Sequence, residues 1–266
     1  MKFKGTVEET KKYKIMLEEE LKENIVISIR KEQIKQHNPT LLIKNANRKW
    51  GNIQAGTALN MEIADFHFKM HDSNEVKQTI RLGDRSTSKD LSSAFHHLIV
   101  QTESQSYLAI EFQNNHYTYS AMPLRTKHSS IFFATAIEPI MQQIRMKADI
   151  RIINYVDDIL ILLQNKEYLK NITQKVIEIL EYFKFAMNTE NSETELKQTV
   201  IFLGWEWNLT NAIMKTKPKK RLLHLHDLYD MRILKKTETD ITVKQTAKLM
   251  GKLNYLRLQF QEASPF

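Results

Sequence analysis

The sequence of 266 residues contains no cysteine, only six glycines and five prolines, and no long hydrophobic run. Without cysteine the chain can form neither a disulfide nor a thiolate metal site, which fits a reducing compartment. No segment has low complexity and no internal repeat is present, which argues against a repeat protein. Residues 1–5 lack the apolar core of a signal peptide, and no apolar run reaches the length of a membrane span. We therefore expect a soluble, intracellular protein without a membrane partner.

Positive charge is in excess, because the formal net charge is +8 and the isoelectric point is near 9.4. This balance favours a polyanionic partner, with nucleic acid as the first candidate. The length allows one large domain, or two or three subdomains built around one cleft.

Two adjacent carboxylates, Asp157 and Asp158, lie between two short aliphatic runs at 150–153 and 159–163. Such runs predict two buried strands joined by a tight turn that carries both carboxylates. Like charges held close repel each other, so a cation is expected beside them. Hard oxygen ligands suit Mg²⁺ or Mn²⁺, and a third carboxylate from elsewhere would complete a two-metal site. Aspartate is also common in turns, so the pair alone fits ordinary turn chemistry equally well.

Hydrophobic spacing predicts an α+β fold in which helices pack on a sheet whose open face carries the carboxylates. A β-hairpin at 107–119 turns at Gln113–His116, because asparagine tolerates left-handed backbone conformations. The polar residues 85–88 form a boundary before the stretch 89–100, which ends in an apolar, strand-like run. The other predicted elements are a helix at 7–23, a strand at 25–29, a hairpin at 41–43 and 50–53, helices beginning near 129 and 169, a strand at 200–207 and two C-terminal helices.

Three further features allow a functional and a structural interpretation. His96 and His97, at a predicted strand, are interpreted as packing or surface residues rather than metal ligands. Gly204, between large residues, indicates either close backbone approach or an ordinary bulge. The basic run at 215–221 is either a phosphate-contacting element or a solvated connector.

Taken in order, these stretches resemble the polymerase core of a reverse transcriptase, nearest to those of Ty3-like and DIRS-like retrotransposons. Residues 155–158 correspond to the YxDD motif of that family, and residues 90–95 resemble its first acidic motif. Residues 249–253 resemble a thumb-region pattern that precedes the RNase H domain. The FLG motif that grips the primer is matched by Phe202, Leu203, Gly204 and Trp205.

The resemblance implies a right-hand polymerase with fingers, palm and thumb, and an antiparallel palm sheet backed by helices. The implied divisions are fingers with an N-terminal helix at 1–84, the first part of the palm at 85–120, a palm helix and fingers return at 121–147, the palm with its YVDD hairpin and primer-grip-like strand at 148–214, and thumb-like helices at 215–266.

The same resemblance implies the chemistry of the site. Asp90 and Asp157 would hold two Mg²⁺ ions, or Mn²⁺, about 3.5–4 Å apart, with Asp158 in support. One ion would activate the primer 3′-hydroxyl and the other would hold the incoming triphosphate. The implied partners are an RNA or DNA template with its primer and deoxynucleoside triphosphates. RNase H, recombinase or integrase domains would lie outside these residues.

Further nucleotide contacts are implied for single residues. Phe95 would lie beneath the sugar as a steric gate against a 2′-hydroxyl, and Tyr155 would lie near the primer terminus. Core packing is the alternative for Phe95, and a structural aromatic role for Tyr155. Arg48 and Lys49 are candidates for contacts with the triphosphate.

Several positions depart from the family pattern. Gly51 stands where an arginine usually contacts the triphosphate, and Ala55 and Thr57 replace an aspartate and a second arginine. Arg125 replaces a turn glycine, and Asn191 replaces a lysine. One charge-assisted phosphate contact contributes about 1.5–3 kcal/mol, so such losses could weaken nucleotide use tenfold or more. A decaying element, local compensation, and recruitment for binding are all compatible with these changes.

Two hypotheses from different classes follow. The first is an RNA-directed DNA polymerase core, and the second is a reverse-transcriptase-like nucleic-acid-binding or assembly protein with reduced or lost activity. An RNA-templated RNA polymerase is a third reading, against which Phe95 at the gate position argues.

Overall fold

The structure is a computed structural model that describes residue 3 and residues 5–44, 50–54, 56–124, 126–188, 192–236 and 242–260. The chain forms two compact units, one of residues 1–70, 91–142 and 180–186, the other of residues 71–90, 143–179 and 187–266. The helices are α1 Val7–Lys22, α2 Thr57–Glu62, α3 Ser73–Thr79, α4 Thr102–Gln105, α5 Ser129–Lys147, α6 Lys166–Tyr182, α7 Pro218–Lys236 and α8 Val243–Phe260. The strands are β1 Val26–Ser28, β2 Thr40–Lys44, β3 Trp50–Gln54, β4 Arg85–Ser92, β5 Ala109–Phe112, β6 Asn115–Tyr119, β7 Arg151–Tyr155, β8 Asp158–Leu163, β9 Ala186–Met187, β10 Glu193–Lys197, β11 Thr199–Phe202, β12 Trp205–Asn208 and β13 Ile213–Thr216.

Helix α1 begins in the first unit because its N-terminal backbone groups are capped. Glu9 N–H donates to Thr6 Oγ1 at 3.2 Å, and Thr6 N–H donates to Glu9 Oε2 at 2.7 Å, which forms a capping box. The buried face of the helix carries Tyr13 and Leu17. The predicted helix at 7–23 is confirmed, and it ends one residue earlier, at Lys22.

A three-stranded antiparallel sheet in the order β1-β6-β5 provides the core of the first unit. Gln113 and Asn114 join β5 to β6 with φ values of 49° and 64°, as expected for a two-residue hairpin turn. The predicted hairpin is therefore confirmed. Phe112 packs edge-on against Tyr13 of α1, with ring centroids 4.7 Å apart. Strands β2 and β3 pair as a separate two-stranded ribbon, as predicted.

The largest sheet has the strand order β10-β4-β8-β7, with β9 also pairing with β4. Antiparallel pairing of β7 with β8 confirms the predicted hairpin around the acidic residues. Residues 159–162 of β8 are completely buried. Residues 85–88, predicted as a polar boundary, are the first half of β4, because β8 and β10 pair with them from both sides.

The second unit also contains a three-stranded antiparallel sheet in the order β11-β12-β13. The prediction of one strand at 200–207 was wrong, since the chain turns at Leu203 and Gly204, which have φ values of 50° and 80°. Glycine adopts a positive φ at little cost, so Gly204 serves a turn rather than a strand bulge, and close backbone approach there stays a prediction. Trp205 and Trp207 are each 1% exposed and belong to the core of this unit.

The structure also differs from two smaller predictions. His96 and His97 lie in a 3₁₀ helix at Ala94–His97 rather than at a strand. The apolar residues 98–100 form only an isolated bridge between Ile99 and Ala121. Val100 is buried, whereas Ile99 is 87% exposed, so the apolar run predicted neither strand pairing nor burial throughout.

The two C-terminal helices, α7 and α8, are present as predicted. The sequence Thr242-Val243-Lys244-Gln245 has the spacing of a capping box, and this box forms at the start of α8: Thr242 N–H donates to Gln245 Oε1 at 2.9 Å and Gln245 N–H donates to Thr242 Oγ1 at 3.3 Å. In the described part of the chain, none of the helices combines the length and the apolar character that crossing a bilayer requires.

Two buried charged side chains of the second unit differ in their partners. Asp84 is completely buried and accepts a hydrogen bond from Arg151 Nη2 at 2.6 Å, so its charge is paired. Lys89 is 1% exposed, and its Nζ forms no hydrogen bond or ion pair with the residues that the structure describes. Burial lowers the pKa of Lys89, because loss of hydration disfavours the ammonium form. Lys89 is therefore a destabilising residue within β4.

We predict that Lys89→Met stabilises the protein by about 1–4 kcal/mol at neutral pH, because it replaces a buried cationic side chain, to which the described residues offer no partner, with an apolar one. The folded-state pKa is lowered, so the unfolded chain binds more protons and wild-type stability rises with pH toward the ordinary lysine pKa. The advantage of Lys89→Met should therefore shrink at alkaline pH. Chemical denaturation measures both effects.

Lys215→Met is the matched control, since Lys215 is exposed on β13 and its replacement should change stability by less than about 0.5 kcal/mol. Destabilisation of the protein by Lys89→Met would contradict this account of the buried lysine.

Candidate active site

Pairing of β4 with β8 creates the centre of the site. The register places Asp90 directly opposite Asp158, and residues opposed in this way have Cβ atoms about 4.5–5.5 Å apart. Asp157 lies in the adjoining turn, so the three predicted carboxylates lie at one end of the sheet. Like charges in this arrangement destabilise a sheet unless a cation neutralises them.

The turn between β7 and β8 consists of Val156 and Asp157. Asp158 is the first residue of β8, so the prediction that the turn would carry both carboxylates holds only for Asp157. Val156 has φ of 54°, a conformation that is costly for a β-branched residue and usually taken by glycine at the first position of a type II′ turn. Such strain costs about 1–3 kcal/mol and is concentrated at functional sites.

Two of the three carboxylates have raised pKa values. Burial raises the pKa of Asp157, its own backbone N–H lowers it, and the charge of Asp90 raises it again. Burial raises the pKa of Asp158 to about 6, together with the charges of Asp157 and Asp90, while Lys217 lowers it. Asp158 is nevertheless exposed. We therefore give more weight to repulsion among the carboxylates than to lost hydration.

Asp90 is hydrogen-bonded to a segment distant in sequence. Asn188 Nδ2 donates to Asp90 Oδ2 at 2.7 Å, and the backbone N–H of Asn188 donates to the Asp90 carbonyl at 2.8 Å. Asp90 N–H in turn donates to Ser192 Oγ at 3.2 Å. Tertiary structure thus supplies Asp90 with hydrogen-bond partners that the local sequence does not indicate.

A cavity of about 760 Å³ opens beside the acidic hairpin. It brings the predicted residues Tyr155 and Asp158 together with the turn at Leu203 and Gly204. Lys217, a half-buried residue within the basic run at 215–221, adds a positive charge close enough to lower the pKa of Asp158. The lining residues are His71, Asp72, Ser73, Tyr155, Asp158, Ile201, Phe202, Leu203, Gly204 and Lys217. Trp205, the fourth residue of the predicted primer grip, is buried in the core.

Of the other predicted nucleotide contacts, only Phe95 lies among the described residues. Phe95 belongs to the first unit, is 7% exposed, and packs against Phe133 with ring centroids 5.7 Å apart. Its described contacts are therefore those of a core residue, and the gate role stays a prediction. Arg48 and Lys49 lie outside the described residues, as do the altered positions Ala55, Arg125 and Asn191.

The carboxylates fit a metal ion that is shared with substrate phosphates and water better than one held by protein side chains alone. Among the side chains that the structure describes, no three His, Asp or Glu residues converge into a ready-made metal cage. Mg²⁺, however, is usually held by one or two carboxylates together with substrate phosphates and water. Asp90 and Asp158, opposed across two strands with Asp157 beside them, provide hard oxygen donors of that kind.

Comparison with known proteins identifies the family. The family described as reverse transcriptase (RNA-dependent DNA polymerase) matches residues 26–207, which is more than half of the chain. The chain belongs to the reverse transcriptase family. The matched range contains the motifs at 90–95, 155–158 and 202–205 that sequence analysis had selected.

Curated relatives of this reverse transcriptase family member are viral. The chain is 23% identical over 176 residues to the Gag-Pol polyprotein of walleye dermal sarcoma virus, covering 66% of this chain and 9% of that protein. It is 25% identical over 131 residues to Protein P of heron hepatitis B virus, covering 49% of this chain and 17% of that protein. The chain thus spans only a small part of the relatives it matches.

Solved structures establish the fold. The foamy viral protease-reverse transcriptase in complex with dsDNA has a TM-score of 0.75 and 18% identity, covering 97% of this chain and 50% of that one. The same protein in complex with an RNA/DNA hybrid has a TM-score of 0.74 and 17% identity, covering 97% and 32% of the respective chains. The predicted α+β polymerase fold is confirmed.

Sequence reasoning did not identify two contributors to the site. Asn188 was not named in the sequence analysis, although it lies in the stretch 187–192 that contains Asn191 and resembles the family pattern Leu-Asn-x-x-Lys-Ser. Residues 71–73 were not singled out either. The presence of Asn188 in that pattern was the available signal, but its contact with Asp90 depends on strand pairing. Residues 71–73 carry no comparable signal.

The raised pKa of Asp158 predicts how pH affects stability without metal. The folded-state pKa of about 6 exceeds the unfolded value, so stability decreases as pH rises from about 4 through 6. We predict that Asp158→Asn raises the melting temperature in EDTA near neutral pH, and that the gain disappears at about pH 4. Thermal unfolding across this range measures the effect.

The exposed Asp149 offers a matched control, because Asp149→Asn should not reproduce this pH-dependent gain. A melting temperature of Asp158→Asn that equals or falls below wild type near neutral pH would refute the electrostatic account.

Proposed function

We propose that this chain is the polymerase core of a reverse transcriptase that extends a primer with deoxynucleotides on an RNA or DNA template. The observation that carries the proposal is the placement of Asp90 opposite Asp158, with Asp157 in the adjoining turn. Membership of the reverse transcriptase family and the net charge of +8 support it. A polyanionic template and primer would be attracted by that charge.

We further propose that Asp90 and Asp157 hold two Mg²⁺ ions, or Mn²⁺, with Asp158 in support. When bound, such ions would lower the pKa of the primer hydroxyl and neutralise charge on the transferring phosphoryl group. The chain's own residues would position the reactants. The donor set supports this assignment, because carboxylate oxygens and substrate phosphates are the usual ligands of Mg²⁺.

The cavity beside the hairpin is proposed to receive the primer terminus. Tyr155 and the turn at Leu203–Gly204 would contact the terminal nucleotide, and Lys217 would face a backbone phosphate. Phe95 is retained as the proposed gate against a 2′-hydroxyl. Competing ribo- and deoxynucleotides in one extension assay test this role, since equal incorporation would exclude a gate.

The finer origin is also a proposal. Fingers at 1–84, palm at 85–214 and thumb at 215–266 would form the polymerase core of a Ty3-like or DIRS-like retrotransposon, with RNase H and a recombinase or integrase encoded in other segments. Sequencing of the flanking DNA tests this, because an isolated reading frame without such domains would contradict a retrotransposon origin.

We predict that the protein extends an oligo(dT) primer on poly(rA) with Mg²⁺ or Mn²⁺, and that Asp157→Asn lowers the rate about 10²-fold or more. Removing one metal-holding charge forfeits several kcal/mol of transition-state stabilisation. Labelled primer extension measures the rate, and Asp149→Asn serves as a charge-matched control outside the site.

Equal rates for wild type and Asp157→Asn would rule out the polymerase assignment. A wild type that makes no product, but binds primer–template with a steep salt dependence, would instead favour a nucleic-acid-binding or assembly role.

The altered fingers permit a gain-of-function prediction. Gly51 lies on β3 opposite Ile43, in extended backbone that accepts a larger residue. Gly51→Arg should lower the apparent KM for deoxynucleotides about tenfold, because a charge-assisted contact with a phosphate contributes about 1.5–3 kcal/mol. Steady-state kinetics measure the change.

Gly51→Gln is the uncharged control for side-chain size and should give little of this effect. An unchanged KM for Gly51→Arg would contradict a triphosphate contact at position 51.

A further inference from the structure

We propose that Asn188 is a positioning residue for Asp90, whose carboxylate it orients for metal binding. The two residues are 98 positions apart in sequence, yet Asn188 Nδ2 lies 2.7 Å from Asp90 Oδ2. This inference rests on the proposed function, because metal binding by Asp90 and nucleotide transfer are both proposed there.

The contact is built from both the backbone and the side chain. Asn188 N–H donates to the Asp90 carbonyl at 2.8 Å, which places the amide group beside the carboxylate. Ser192 N–H donates to the Asn188 carbonyl at 3.0 Å, and Ser192 Oγ accepts from Asp90 N–H at 3.2 Å. Residues 188 and 192 thus hold the backbone of Asp90 on both sides, and the Asn188 side chain also donates to its carboxylate.

The strands on either side of Asn188 restrict where this residue can lie. Strand β9 ends at Met187 and β10 begins at Glu193, and both strands pair with β4, which carries Asp90. A side chain between two such anchors has few alternative positions. The hydrogen bond therefore fixes the rotamer of Asp90 rather than following it.

The chemistry of an amide suits this task. An NH₂ group donates a hydrogen bond without adding a charge, so it orients the carboxylate and does not compete with a bound cation as a lysine would. A carboxylate has about four acceptor sites, so a hydrogen bond at Oδ2 is compatible with metal coordination by the same group. The donor also offsets part of the repulsion from Asp158, which lies opposite Asp90.

The test uses the full chain and measures Mn²⁺ affinity by electron paramagnetic resonance, first with Mn²⁺ alone and then with a dideoxy-terminated primer–template and the next deoxynucleotide. Asn188→Ala should weaken Mn²⁺ binding about 10–100-fold, as expected on loss of a group that orients a metal ligand. Its apparent KM for Mg²⁺ in primer extension should rise more than its kcat falls. Asn188→Gln, which keeps the amide, should recover part of the affinity.

Two controls separate positioning from stability. Thr173→Ala removes a buried hydrogen bond to Thr87 of β4, at 2.9 Å, and should leave Mn²⁺ affinity unchanged. Ser192→Ala removes a contact with the Asp90 backbone only, so its effect should be smaller than that of Asn188→Ala. Thermal unfolding of each variant reports the accompanying loss of stability.

The possible outcomes separate the positioning role of Asn188 from the polymerase assignment. Wild-type Mn²⁺ affinity in Asn188→Ala, or an equal loss in Ser192→Ala, would overturn the positioning role while leaving the polymerase assignment intact. Weakened Mn²⁺ binding in Asn188→Ala, in a protein that fails to extend primers, would support positioning and refute the polymerase assignment. Absence of Mn²⁺ binding by wild type in both conditions would overturn both.

Discussion

The candidate site depends on the antiparallel pairing of β4 with β8. This pairing brings Asp90 opposite Asp158, two residues that repel each other and would not approach without support. Residues 159–162 of β8 are completely buried, so hydrophobic packing determines where the strand lies. The carboxylates are therefore carried into position by the core and not by attraction among themselves. A cation is the natural complement of such a site.

Several other features of the same region also destabilise the folded protein. Val156 has a left-handed backbone conformation, the pKa of Asp158 is raised to about 6, and Lys89 is buried beside Asp90 in sequence. Each feature opposes folding, and the core around Trp205 and Trp207 helps to offset them. Destabilising features of this kind are typical of functional sites, where geometry and charge serve a ligand rather than the stability of the fold.

Sequence signals predicted the structures that are formed by interactions between residues close in sequence. The helices that begin at Val7 and Val243 and the hairpin at 107–119 depend on residues within a few positions of each other, and they form, although the hairpin turn comprises only Gln113 and Asn114 of the predicted 113–116. Predictions failed where distant pairing decides. The polar residues 85–88 became a strand because β8 and β10 flank them, although their composition favours a boundary. Hydrophobic periodicity identifies buried faces, but it does not specify which strands pair.

The sequence by itself determined the identity and order of the acidic residues, the helix and hairpin signals, and the resemblance to reverse transcriptases, because these are properties of residue type and short-range spacing. Only the tertiary structure decided that Asp158 begins a strand opposite Asp90, that Gly204 lies in a turn, and that Lys217 and Asp158 line one cavity. The contact of Asn188 with Asp90 joins residues 98 positions apart. Such contacts arise from the register of strands in a shared sheet, which no local propensity encodes.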